Sequence, residues 1–320
     1  MNEIPIVFSF DENLIIGAYV TIKSLIDNAN SNTQYHIHVL HKNLNNFFIE
    51  EFKKLDLGIH SMEFVQVGQE YFKNAPRLNY GLTEAVYYRL LIPIVLPQYD
   101  KVIYSDVDVL IQDDLWNLYN TNLDDYEVMA LKTSINEDTE ANRNIGKVYF
   151  PENTNKYQYN SGVLIFNSKL MRQEKTVDKF FEAIEKYHDR IKFFDQDILN
   201  IVCTRFKDLP LNYNVFQPLY YKTDINNTLE YNIMKSVYKM EDFENAKKNA
   251  IIIHYAGSDG KPWTKKNPPE EYKKYLDTIP KELNYLNFKS KISCFWGHHP
   301  IIKAIARFLK NKIIKRFVKS

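Results

Sequence analysis

Runs rich in β-branched and aromatic residues recur along the chain, at PIVFSF (5–10), YHIHVL (35–40), MEFVQV (62–67), KVIYSDVDVL (101–110), YEVMAL (126–131), SGVLIFN (161–167) and AIIIHYA (250–256). They read as strands. Helical spacing appears between the first of them. Over 13–28, Ile16, Tyr19, Val20, Lys23, Ser24 and Leu25 fall near one face, and 44–55 and 84–96 also fit the period. Alternating strands and helices predict crossover connections and an α/β fold on a mostly parallel sheet. In such sheets ligands bind beyond the carboxyl ends of the strands. Asp11 and the pair Asp106 and Asp108 sit at such ends.

Composition narrows the picture. The 320 residues suffice for one large core or two domains. Two cysteines, Cys203 and Cys294, suggest no disulfide framework and fit a reducing cytoplasm. The opening MNEIPIVFSFDEN lacks a basic region before an apolar run, so no signal peptide is expected. The longest apolar run, LLIPIVLP (90–97), is far short of the roughly 20 residues that span a bilayer. Charge is uneven. Residues 283–320 hold nine Lys and Arg and no Asp or Glu; set against the overall +1, this leaves −8 for residues 1–282. An acidic body argues against a nucleic-acid groove, and a basic tail points to an anionic surface. No repeat or low-complexity linker interrupts the chain, so a catalytic domain over 1–282 and a tail over 283–320 are expected.

The chain lacks both Gly-x-Gly-x-x-Gly and the P-loop pattern. A nucleotide on this sheet would need another holder for its phosphates, and a divalent cation is the obvious one. Asp106 and Asp108 offer hard oxygen ligands, but on a regular strand they would face opposite ways, so the strand must end and turn between them. His254, at the end of AIIIHYA, is a candidate imidazole that tilts the choice towards Mn²⁺ over Mg²⁺. Gly257 would let a phosphate approach the backbone, and Lys261 would give it a point charge. Asp-x-Asp alone is a weak signal, since Asp195 and Asp197 repeat it. Asp195 also reads as an N-cap for the helix DQDILNIV.

YSDVDVLIQDDLWNLY, YNSGVLIFN, FFDQDILN and HYAGSDGKPW, with IVFSFDEN and VYYRLLIPIVLP before them, occur in the order shown by the family 8 retaining glycosyltransferases. That family includes bacterial lipopolysaccharide galactosyl- and glucosyltransferases and the glycogenins. The resemblance covers about residues 4–265. It implies a GT-A type, Rossmann-like nucleotide-sugar-binding fold, a UDP-hexose donor, and Mn²⁺ or Mg²⁺. By position, Asp106, Asp108 and His254 resemble the metal ligands. Ser9, Asp11, Asn13, Val107, Gly257 and Lys261 resemble nucleotide contacts. Arg89, Asn160 and Ser161 resemble donor-sugar contacts, and Asp195 and Gln196 the catalytic pair at the sugar's reacting face. Three positions depart from the family's pattern: Leu14 replaces an aromatic, Gly81 replaces a histidine, and GSDGK is one residue longer than usual.

The implied reaction is hexose transfer, glucose or galactose, from UDP-sugar to a hydroxyl of a glycan, glycolipid or glycoprotein. Retention commonly uses a carboxylate nucleophile. Here the matching residue is Gln196, a poor nucleophile, which favours front-face attack with the Gln196 carbonyl dipole steadying the cationic sugar and Asp195 holding a hydroxyl. Rival readings are an Asp-x-Asp phosphohydrolase, in which Leu110 stands where Thr or Val is expected, and a sugar-nucleotide-binding protein without turnover. In the tail, Ile301, Ile302, Ile305, Phe308, Leu309, Ile313 and Phe317 fall near one face among lysines and arginines, with Trp296 before them. This predicts an amphipathic helix on an anionic leaflet, hence a cytoplasmic protein peripheral to the inner face of the membrane. The competing expectation is a terminal helix docked on the domain.

Overall fold

A computed structural model of the chain describes residues 1–68, 70–76, 84–135, 155–256 and 259–283. Among these residues the strands are β1 (Asn2–Ser9), β2 (Thr33–His41), β3 (Ser61–Gln66), β4 (Val102–Ser105), β5 (Val109–Ile111), β6 (Val128–Ile135), β7 (Tyr157–Phe166), β8 (Phe206–Asp208), β9 (Val215–Phe216) and β10 (Ile252–His254). Seven of them form a sheet in the order β3-β2-β1-β4-β7-β6-β8, and the others a small sheet, β5-β10-β9. The large sheet is mostly parallel; β7 runs antiparallel to both neighbours. The expected α/β class is therefore observed. Ile4 to Ser9 of β1 are all buried. A strand covered on both faces has no polar side, which explains its continuous apolar run.

Helix α1 (Ile15–Asp27) follows a 3₁₀ turn (Glu12–Leu14) whose cap is Asp11, its Oδ1 accepting from the Asn13 amide at 2.8 Å. Buried polar groups on α1 brace β5 and the turn before it. Thr21 Oγ1 donates to the carbonyls of Val107 (3.0 Å) and Val109 (2.8 Å), and Ser24 Oγ accepts from the Ile111 amide at 3.2 Å. Helix α2 (Asn46–Lys53) fills most of the helical pattern over 44–55.

The run over 101–110 breaks at Asp106–Asp108, as a shared ion requires, and continues as a second strand: β4 and β5 lie in different sheets. One element differs from its expected form. The helix expected over 84–96 is a 3₁₀ segment (Glu84–Leu91) running into a single α turn (Ile92–Val95). Pro93 lies in that turn and has no N–H to return to the Arg89 carbonyl four residues back, so an α ladder cannot pass through it.

The helix Asp195–Val202 starts from a strained turn. Phe194 has φ 49° and ψ −119°, a region that costs a side-chain-bearing residue about 1–3 kcal/mol. Asp197 holds the turn: its Oδ2 accepts from the amides of Lys192 (2.7 Å) and Phe193 (2.8 Å). Burial pushes the Asp197 carboxyl up to about 6, although both amides pull it down.

The chain packs as two compact units, Met1–Asp259 and Gly260–Ser320. The described part of the second holds a 3₁₀ turn (Pro262–Thr264) and a helix (Glu270–Leu276), with Trp263 stacked on Tyr272 at 6.3 Å. The basic tail expected beyond residue 283, Gly81 and Gly257 lie outside the described residues. Among the described residues no helix is long and apolar enough to cross a membrane.

Asp197→Asn keeps an acceptor for both amides and removes the shifted carboxyl. A folded pKa of about 6 lies above the ordinary 3.8, so the folded chain holds the proton longer. This group's contribution to stability is present below the lower value and is lost as pH rises through the upper one. The stability of Asp197→Asn relative to the unsubstituted protein should therefore rise by on the order of 2 kcal/mol between pH 4 and pH 7, read by urea unfolding at each pH. A constant difference across that range would show that the carboxyl is not shifted.

Candidate active site

Strand registers bring the site together. β4 pairs with β7 up to Ser105 opposite Val163, and one further bond, Asp106 N–H to the Gly162 carbonyl at 2.7 Å, seats Asp106 beside Gly162. β5 and β10 pair antiparallel with Val109 opposite His254, and the Tyr255 amide donates to the Asp108 carbonyl at 2.8 Å. The turn between β4 and β5 removes the strand alternation that would have separated the two carboxylates. Asp106 Oδ2 lies 3.7 Å and Asp108 Oδ1 3.3 Å from His254 Nε2. The three ligand atoms lie within 4.8 Å of one another.

This triad suits a divalent cation. His254 is buried, and its Nδ1 lies 2.8 Å from Asn214 Oδ1. That oxygen can only accept, so Nδ1 carries the hydrogen and Nε2 turns towards two carboxylates. A positive charge among these atoms would offset the two carboxylates. Two oxygens and an imidazole nitrogen form a donor set for Mn²⁺ or a similar ion. Gly162 leaves the room: a Cβ there would come within 2.3 Å of His254 Cε1 and 3.0 Å of Asp106 Oδ2.

Behind the triad lies a buried guanidinium. Arg89, 4% exposed, sets Nη2 2.8 Å from Asp106 Oδ1 and Nε 3.1 Å from Asp195 Oδ2. Nη1 donates to the Ser161 carbonyl, and the guanidinium sits 4.2 Å over the Tyr104 ring, whose hydroxyl donates to Asp106 Oδ1 at 2.9 Å. Burial disfavours the Arg89 charge, but Asp106 and Asp195 more than offset it and its pKa rises. Asp195 is equally buried. Burial pushes its carboxyl up to about 6, opposed by Arg89 and reinforced by Asp106. The Arg89 Nε hydrogen points to the Val86 carbonyl (3.1 Å), so Asp195 Oδ2 gains an ion contact and no hydrogen bond. Asp195 is the first residue of its helix and not its N-cap; Phe194 takes that position.

Asn160 and Gln196 adjoin. Gln196 Oε1 accepts from Asn160 Nδ2 (3.0 Å) and the Ser161 amide (3.3 Å). The carbonyl dipole expected to face a cationic sugar therefore faces protein donors here, because the Ser161 amide can only donate. Asp11 and Asn13 line a separate cleft of about 600 Å³, with Phe10, His41, Tyr88 and Phe194. These aromatic rings supply a flat apolar surface that Leu14 does not. The metal triad does not line this cleft; Ser9 joins the two, its Oγ donating to the Ala85 carbonyl at 2.9 Å and lying 3.1 Å from the Tyr104 hydroxyl. Val107 is buried with its carbonyl bonded to Thr21. Lys261 caps the 3₁₀ turn of the second unit.

Sequence reasoning missed three contributors. Tyr104 looks like one more core aromatic of a strand. Gly162 looks like an ordinary strand-start glycine, and nothing local reports that a histidine 92 residues away fills the space a Cβ would take. Asn214 lies in LPLNYNVFQ, where a buried asparagine is indistinguishable from a turn residue.

The family model for Glycosyl transferase family 8 matches residues 5–267. The Escherichia coli protein "Lipopolysaccharide 1,2-glucosyltransferase" is 26% identical over 262 residues, 80% of this chain and 72% of that one. The Bacillus subtilis "General stress protein A" is 25% identical over 223 residues, 67% of this chain and 72% of that one. Among solved structures, galactosyltransferase LgtC with donor and acceptor sugar analogs superposes at a TM-score of 0.69 and 24% identity, over 88% of this chain and all of LgtC. The bifunctional glycosyltransferase WbbM gives 0.68 at 23% identity, over 90% of this chain but 52% of WbbM. These likenesses give the GT-A fold, and the family match over most of the length gives the activity class: the chain belongs to glycosyltransferase family 8.

Proposed function

We propose that the protein transfers glucose or galactose from a UDP-hexose to a hydroxyl of a glycan, glycolipid or glycoprotein acceptor, with retention at the anomeric carbon, in the synthesis of a cell-surface glycan. The observation that carries this is the meeting of Asp106, Asp108 and His254 next to the buried pair Arg89–Asp195. The glucosyltransferase relative and the donor complex of the LgtC neighbour support the choice of substrate class. Asp106, Asp108 and His254 would hold Mn²⁺ or Mg²⁺, which would supply Lewis-acid charge to the departing diphosphate.

The chain's own residues do the rest. Asp11 and Asn13 read the uracil edge in the cleft that they line. Gly257 lets a phosphate approach the backbone. Arg89 fixes Asp106 and Asp195 in one frame. Asp195, held against Arg89, holds a sugar hydroxyl. Asn160, Ser161 and Gln196 line the sugar's reacting face. The acceptor oxygen bonds to the anomeric carbon on the face from which the diphosphate leaves, and a departing phosphate oxygen takes the acceptor's proton. Gln196 cannot form a covalent ester, so isolation of a sugar adduct on Asp195 or Asp197 would overturn the single-step route.

The basic amphipathic tail from residue 283 holds the enzyme on the cytoplasmic face of an anionic membrane, where a lipid-linked acceptor lies.

His254→Ala should lower turnover by about 10²–10³, read as UDP release across a panel of UDP-sugars with Mn²⁺. Unchanged turnover in that variant, or in excess EDTA, would defeat the metal-dependent scheme. Gly162→Ala should weaken Mn²⁺ binding by about tenfold or more, because the added methyl displaces His254; a calorimetric titration reads this. Vesicles containing phosphatidylglycerol should float the full chain but not residues 1–294, and equal flotation of both would exclude the tail as the anchor.

A further inference from the structure

Four side chains form a hydrogen-bonded chain whose polarity is set by two backbone amides, those of Gly162 and Ser161. The Gly162 amide can only donate, so the Asn160 atom 3.0 Å away is its oxygen. Asn160 Nδ2 then points to Gln196 Oε1 at 3.0 Å. The group that Asn214 offers to Asn160 Oδ1, at 2.9 Å, must be its NH₂. Asn214 Oδ1 therefore faces His254, 2.8 Å from Nδ1. An amide oxygen accepts, so Nδ1 must carry the hydrogen, and Nε2 is left as the nitrogen aimed at Asp106 and Asp108. Asn214 is fully buried, and the next two residues are β9, paired to Ile253 and His254 of β10. The strand pairing that places the histidine also places its orienting amide.

We infer that Asn214 is a positioning residue that sets the tautomer and ring plane of His254, with Asn160 transmitting the setting from the Gly162 amide. This rests on the reading of Asp106, Asp108 and His254 as a metal site. A histidine ligand whose second nitrogen donates to a fixed acceptor is a better ligand, and loss of such a partner commonly costs about 10–100-fold in metal affinity. Because Asn160 also grips Gln196, one hydrogen-bonded chain links the metal ligand to Gln196.

The test uses the full chain and Mn²⁺ alone, with bound ion counted by electron paramagnetic resonance. Asn214→Ala should bind Mn²⁺ about 10–100-fold more weakly than the unsubstituted protein. Asn214→Asp, nearly isosteric, still accepts from Nδ1–H but cannot donate to Asn160 Oδ1, so it should lose less Mn²⁺ affinity than Asn214→Ala. Metal-free ¹⁵N-histidine spectra, with the His254 signal identified by its absence in His254→Gln, should show hydrogen on Nδ1. Should Asn214→Ala fail to fold, the metal-free spectrum still decides. Equal Mn²⁺ affinity in the unsubstituted protein and Asn214→Ala, a loss in Asn214→Asp as large as in Asn214→Ala, or hydrogen on Nε2 with none on Nδ1 would overturn the positioning role while leaving the metal site standing. An unsubstituted protein that binds no Mn²⁺ would overturn the metal site itself, a result distinct from these.

Discussion

Two carboxylates flank a buried guanidinium and a third stands against a buried imidazole, and that excess of negative charge governs the site. Arg89 contacts Asp106 and Asp195, while Asp108 faces Asp106 across His254. Like charges a few ångströms apart repel by several kcal/mol even at an effective dielectric of about 20. The strain shows on Asp195, whose carboxyl is held up at about 6 by burial and, further, by Asp106. A cation among Asp106, Asp108 and His254 would settle the balance and leave Arg89 to Asp195. Losing one partner of a buried ion pair costs about 3–5 kcal/mol, so the charges are mutually dependent.

The fold meets this constraint with strand register. Asp106 follows β4 and is fixed by β7; Asp108 precedes β5 and is fixed by β10, which ends in His254. Strand side chains alternate, so a slip of one residue between β5 and β10 would swing His254 to the opposite face. Buried braces oppose that slip: Thr21 and Ser24 bond to the backbone of the broken strand, and Asn214 bonds to the imidazole itself. Gly162 permits the close approach that the registers impose.

The legible and illegible parts of this site divide along physical lines. The apolar runs that give β1, β2, β3 and β7 are long enough to carry a pattern; β8 and β9, of three and two residues, are not. A strand breaking between Asp106 and Asp108 follows from the geometry of two carboxylates and one ion, and it is observed. The meeting of that turn with His254 came from ordered motif blocks, since nothing in local periodicity links residues 108 and 254. The 3₁₀ winding of Glu84–Leu91 was hidden because apolar spacing cannot separate it from an α-helix over so short a span. Asn214 and Tyr104 act through long-range contacts, which leave no trace in neighbouring residues.

The arrangement of DQD also bears on how retention is achieved in the proposed reaction. A double displacement needs a carboxylate free to attack. Asp197 is buried, and its Oδ2 is spent on two backbone amides that hold Phe194 at a positive φ. Freeing it would release the strained turn that aims Asp195 and Gln196. Asp195 is tied to Arg89, and its departure would leave a buried cation facing Asp106 alone. Gln196 has no charge to give, and its carbonyl oxygen already takes two protein donors. Each candidate nucleophile thus holds part of the frame in place. A front-face route asks none of them to leave, and it puts the burden on the leaving diphosphate, where the charge of the site is concentrated.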